Sequence, residues 1–218
     1  ISYYNQLVNS NSAFSQNAYY QLGNAYLEVG KKQEALSAFR SAKDMTYDKN
    51  VSKLAHEQYA KLSYDIGNPF ESPQLAIKSY LEKYGYSKEL EQLLVKSYLY
   101  SGDYKGTIKA IEELTGVDAQ TEKIYQEVLF LYGTELFNKS ELDAAEQNFK
   151  KSLKYNLNKT FNLRAQYWLA QTYYQKGDYA TAIYGFEKLD RNVEEFPEKQ
   201  QLSYDLGYAY FKSKNFTK

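Results

Sequence analysis

Large apolar residues fall three and four positions apart along almost the whole chain, the spacing of one helix face. A small residue interrupts them at a regular interval. The small column is Gly23, Ala60, Val95, Gly133, Ala170 and Gly207, with separations of 37, 35, 38, 37 and 37. Each is preceded by Leu or Tyr and followed three positions on by Tyr26, Ser63, Tyr98, Leu136, Tyr173 and Tyr210. Seven positions after the small column stands a turn signal: Gly30, Gly67, Gly102, Ser140, Gly177 and Lys214. A second helical pattern then begins. It pairs a small residue with a large one four later, as Ala35/Phe39, Ala76/Tyr80, Thr107/Ile111, Ala145/Phe149 and Ala182/Phe186. Positions i and i+4 share a helix face, so the small residue admits a neighbouring helix and the large one fills the groove beside it. Each period is predicted to be helix, tight turn, helix. A fixed period of this length predicts stacked units and one array over the whole chain.

The first full unit carries Tyr19, Leu22, Gly23, Tyr26, Gly30, Ala35, Phe39 and Ala42. This pattern resembles the tetratricopeptide repeat family, with Tyr where the family favours Trp. The resemblance implies an all-α fold, a right-handed superhelical solenoid of antiparallel helix pairs with twelve helices. The expected boundaries are a partial unit at 1–15, units at about 16–50, 53–87, 88–122, 126–159 and 163–196, and a partial unit at 200–218. Residues 1–7 read as a second helix without its first, and 215–218 as the entry to a further second helix; with no initiator Met, the expected reading is a segment of a longer protein. The second unit departs most from the pattern. Ser63 stands where an aromatic is expected, and 68–73 lengthens its turn. That turn is expected to bulge outward at little cost, because lengthening a loop adds little closure entropy. The third unit departs at Val95 and Thr107.

Composition narrows the function classes. Acidic and basic residues balance at 27 each, against a nucleic-acid partner, which calls for basic bias. Three prolines fall at predicted boundaries, and Ser72-Pro73 reads as an N-cap followed by proline at the first helical position. No apolar run reaches the ~20 residues of a membrane helix, and no signal peptide is visible. The absence of Cys removes thiol chemistry. The lone His56 sits at a packing column and is expected to be structural. Glu112-Glu113 and Glu194-Glu195 read as solvated helix faces. No catalytic, cofactor or metal site is expected, so the chain reads as a non-enzyme.

What remains is surface. The family resemblance implies that first helices line a concave groove that holds a peptide or partner helix. The columns three before, one after and four after each small residue are expected to face it; half of these positions are aromatic in a chain that is 17% aromatic. The expected contact residues are Tyr20, Asn24, Phe130, Phe137, Tyr167, Gln171, Tyr174, Tyr204, Tyr208 and Phe211. Trp168 is expected mainly to pack. Gly133 and Gly207 are both expected to lie at close helix contacts. The carboxylate clamp of chaperone-binding members is not assembled, since Asn24 has Tyr20 where Lys is needed and Lys61 is matched with Glu57. The expected function is a non-catalytic scaffold holding a protein or peptide partner as part of a larger complex. Alternatives are a glycan- or peptidoglycan-binding module using exposed rings, and a regulatory domain of a larger protein. The phrases 76–84 and Tyr167-Trp168-Leu169-Ala170 resemble tetratricopeptide proteins from Bacteroidota-type bacterial envelopes. That resemblance implies a secretion or envelope assembly in the periplasm or at the outer membrane, with the cytoplasm as the alternative.

Overall fold

In the computed structural model the described residues are 1–2, 12–191 and 194–214. Among them are eleven α-helices and no strand. The helices are α1 (Ala13–Glu28), α2 (Lys32–Asp44), α3 (Lys49–Ile66), α4 (Pro73–Tyr84), α5 (Lys88–Tyr100), α6 (Tyr104–Glu112), α7 (Ala119–Asn138), α8 (Leu142–Ser152), α9 (Lys159–Gln175), α10 (Tyr179–Asp190) and α11 (Lys199–Lys212). The expected second helix at 1–7 falls largely on residues outside the described set, and 215–218 lie outside it as well. The fold is an all-α stack of helix pairs, and it divides into two compact units, Ile1–Asp103 and Tyr104–Lys218.

The turn column explains why the pairs close. All six positions, Gly30, Gly67, Gly102, Ser140, Gly177 and Lys214, hold a positive φ, between 60° and 74° at all but Gly177, where it is 81°. That conformation reverses the chain past a helix end, and glycine adopts it without the Cβ clash. Four turns also share one hydrogen bond, from the residue after the column back five positions: Lys31 to Tyr26, Asp103 to Tyr98, Glu141 to Leu136 and Asp178 to Tyr173. First helices begin earlier than the repeat pattern suggests, because caps outside the pattern start them. The Asp118 carboxylate accepts from Thr121 N at 2.8 Å and starts α7, and the Asn158 amide oxygen accepts from Phe161 N at 3.4 Å and starts α9. Ser72 caps α4 with Pro73 at its start, as expected.

The close contact between paired helices is a ring over a glycine. A Cβ on Gly23 would lie 2.6 Å from the Phe39 ring, and one on Gly133 would lie 2.7 Å from the Phe149 ring. Both rings are fully buried. Burial of such a side chain stabilises by about 1.5–3 kcal/mol, which is obtained only while the glycine leaves the space open.

The long turn of the second pair does not bulge freely. The Asn68 amide donates to Ser63 Oγ at 2.7 Å, and Ser63 Oγ donates to the Tyr59 carbonyl at the same distance. The Tyr59 hydroxyl donates to Glu71 at 2.8 Å, and the Arg40 guanidinium lies 4.1 Å from the Phe70 ring centre. The expectation of a passive bulge is corrected. Ser63 is small and polar because the turn folds back onto it, so the two departures of this repeat form one arrangement.

Candidate functional site

In the column three before each small residue, Phe130 and Tyr167 are core. Phe130 is 1% exposed, packed between Phe149 and Phe161 with the Arg164 guanidinium 4.7 Å from its ring centre. Tyr167 is 4% exposed, against Phe186, Phe196 and Trp168. Tyr20 is half-buried with its ring 5.8 Å from that of Phe39. Helical side chains lean toward the helix N-terminus, which carries this column over the paired second helix. Phe130 and Tyr167 were expected at the contact surface and are core instead. The Tyr167 hydroxyl is raised well above the usual tyrosine range by burial and by the Asp205 carboxylate to which it donates.

The other two columns stay more open. One position after the small residue, Asn24 is half-buried and Lys96 exposed. Lys61 reaches Glu57 at 2.8 Å and Glu89 at 2.7 Å, so its charge is already matched within the chain. Gln171 is half-buried and donates to the Tyr167 hydroxyl at 3.0 Å and to Asp205 at 2.5 Å. Four positions after, Phe137 is half-buried edge-on to Trp168 at 5.2 Å, and Tyr174 is half-buried beside Tyr179 at 5.4 Å. Trp168 is half-buried and donates its indole N–H to Glu198 at 3.0 Å, matching its expected packing role.

Of the expected contact rings, three stand exposed together on α11. Tyr204, Tyr208 and Phe211 are 59%, 46% and 62% exposed, and the first two rings stand 4.8 Å apart. With Ser203 and Gly207 they line an open cavity of about 450 Å³. Among the described residues nothing lies within 4 Å of where a Cβ on Gly207 would stand.

Sequence reasoning missed two buried glutamines. Gln16 donates its amide to the carbonyls of Ala42, Met45 and Asp48, and its oxygen accepts from Asp48 N at 2.7 Å. Gln126 does the same one half-chain later, donating to the Asn158 carbonyl and accepting from Leu157 N and Asn158 N. Each ties down the loop that leads to the next repeat. The available signal was position, since both stand seven residues before a glycine of the small column.

Residues 16–48 and residues 130–192 match family models described as tetratricopeptide repeat. Those two stretches carry tetratricopeptide repeats. The unmatched stretch between them contains the tetratricopeptide departures at Ser63, the long turn, Val95 and Thr107. No curated protein matches the chain by sequence. Similar solved structures include a MamA protein, 18% identical over 88% of this chain and 96% of that one, with a TM-score of 0.44. PilF of Pseudomonas aeruginosa is 18% identical over 92% of this chain and 86% of that one, with a TM-score of 0.40. Yeast Tom70 is 20% identical over 98% of this chain and 44% of that one, with a TM-score of 0.41. At these identities and scores the likeness carries no functional argument. Among the described residues no helix is long and apolar enough to cross a membrane.

Proposed function

We propose that the chain is a non-catalytic scaffold that holds a protein or peptide partner on the inner face of its first helices. The observation that carries this reading is the fate of the three columns. In one, Phe130 and Tyr167 close into the core, while the columns after the small residue leave half-buried and exposed side chains: Asn24, Phe137, Tyr174 and Tyr208. Half-buried aromatic side chains offer broad contact area at low entropy cost, as protein interfaces favour. The proposal includes one array running through both units and membership of a larger complex. Its finer form is a subunit of a bacterial envelope or secretion assembly, on the strength of the sequence phrases described above. The glycan alternative asks for rings flanked by free carboxylates and amides. The Asp205 carboxylate beside Tyr204 and Tyr208 is instead engaged by Tyr167 and Gln171, which favours the protein reading.

The test is site-specific photocrosslinking in the native cell. A photoreactive residue at Tyr174, on the inner face, should trap one protein partner, while one at the exposed Tyr184 of α10 should not. Equal trapping from both positions, or none from Tyr174, would sink the proposal.

A further inference from the structure

Within the unit Tyr104–Lys218, a cavity of about 260 Å³ opens between Leu153, just past the end of α8, and the helices α9 and α10. Both second helices beside it, α8 and α10, belong to the described residues, so its openness is not that of a chain end. Its cause lies in the sequence. Gly185 of α10 comes so close to α9 that a Cβ there would lie 2.9 Å from the Ala170 Cβ, and neither residue has a side chain long enough to fill the space beside the contact. The matching positions in the unit Ile1–Asp103 carry different residues. Counted from the small column, Gln166 and Leu169 correspond to His56 and Tyr59; counted from the phenylalanine of the second helix, Leu153 corresponds to Lys43. There Tyr59 and His56 are 0% and 4% exposed, and the Lys43 ammonium lies 4.8 Å from the Tyr59 ring centre. One unit fills with its own rings the positions that border an opening in the other.

The walls of the cavity are Leu153, Leu169 and Ala170 with the Tyr173 and Tyr184 rings. Two of its polar groups are engaged within the chain: the Gln166 amide donates to Asn162 at 2.6 Å, and the Tyr173 hydroxyl donates to Glu146 at 3.0 Å. The Thr181 hydroxyl and the Lys188 ammonium also line it and have no partner among the described residues. Lys150, Lys176 and Arg191 are each matched with a carboxylate, which leaves Lys188 to meet a charge from outside.

We propose that this cavity binds a small organic carboxylate with an aromatic body, its ring against Leu153, Leu169 and Tyr184 and its carboxylate on Lys188 and Thr181. Ligand sites share this make-up of apolar walls with a few converging polar groups, and this one falls just below their usual size of roughly 300–1,000 Å³, which calls for a compact ligand. A pit walled by three segments suits such a body and not an extended chain, so the occupant is a free small molecule. The site uses none of the inner-face columns and does not rest on the crosslinking result at Tyr174.

The probe is indole-3-propionate, titrated into the full chain and followed by amide chemical shifts in heteronuclear NMR. Saturable shifts are expected, gathered at Leu169, Thr181 and Gly185. Lys188 is exposed, so Lys188→Glu should keep the melting temperature, and it should weaken binding about tenfold or more, as loss of a hydrogen bond to a charged group does. Lys188→Arg should retain binding. Indole-3-propanamide, which keeps the ring and loses the charge, should bind about tenfold more weakly than the acid. No saturable shifts, shifts gathered on α11 instead, equal binding of acid and amide, or binding that Lys188→Glu leaves unchanged would each overturn the proposal. A protein trapped in cells from a photoreactive residue at Tyr184 would make the occupant a polypeptide and overturn it too.

Discussion

His56 should make the first unit sensitive to mild acid. Its ring is 4% exposed, meets the edges of Tyr80 and Tyr84 at 5.7 Å each, and neither ring nitrogen has a hydrogen-bond partner. Burial, and then the positive charges of Lys43 and Lys83, lower its pKa from 6.5 to about 4, with Asp44 opposing weakly. The sign follows from proton counting. Between these two values the unfolded chain takes up a proton that the folded chain refuses, so stability falls as pH falls through that window. At about 1.36 kcal/mol per pKa unit, the loss is about 2 kcal/mol near pH 5 and about 3 kcal/mol near pH 4. The Glu146 carboxylate, held at about 2 by hydrogen bonds from Lys150 and Lys176, loses its contribution only in stronger acid, below its usual 4.5. The perturbation is His56→Leu, which removes the titrating group and leaves no orphaned nitrogen. Urea unfolding followed by circular dichroism at neutral pH, near pH 5 and near pH 4 supplies the readout. The parent chain should lose these amounts relative to the variant, with the two nearly equal at neutral pH. Parallel losses in both proteins across the window would refute the reasoning.

Three further outcomes follow from the packing. Gly133→Leu should destabilise by about 1–3 kcal/mol or more through overpacking against Phe149, whereas Gly207→Leu should leave the melting temperature unchanged; calorimetry on the pair checks both, and equal effects would contradict the contact geometry. Deleting 68–71 should cost about 2 kcal/mol, from two lost hydrogen bonds and the Arg40–Phe70 contact, read as a lower urea midpoint; an unchanged midpoint would return the turn to a passive bulge. Tyr167→Ala should lower the melting temperature by several degrees, about 3–5 kcal/mol for a buried ring, while Tyr208→Ala should not; loss of stability in Tyr208→Ala alone would invert the assignment of core and surface.

The repeat register was legible because packing imposes it locally. Gly23, Gly133 and their ring partners recur at fixed spacing, and the six turn positions sit where φ must be positive. What the sequence concealed was which side of a first helix each column meets. Phe130, Tyr167 and Tyr204 occupy one column, yet two are core and one is exposed, because exposure depends on the helix packed across them and not on the residue itself. The second repeat misled for a related reason. Ser63 and the long turn each look like a loss of pattern when read singly, and only their mutual hydrogen bond shows that one compensates the other. Gln16 and Gln126 stayed hidden because a polar residue on a helix reads as solvated until the loop it binds is placed.

Those two glutamines bear on how the chain would respond to mechanical load. A stack of helix pairs under tension parts where only a loop connects one pair to the next. Gln16 and Gln126 fasten the first and fourth such loops to the repeat before them by several side-chain hydrogen bonds each. The equivalent residues of the second, third and fifth repeats are Lys53, Lys88 and Leu163, which lack an amide to do this. The fifth loop is held instead by Arg164 and Trp168, both of which donate to Glu198, so extension under force would be set by which joints are latched, and by what, and not by how many helices the chain has.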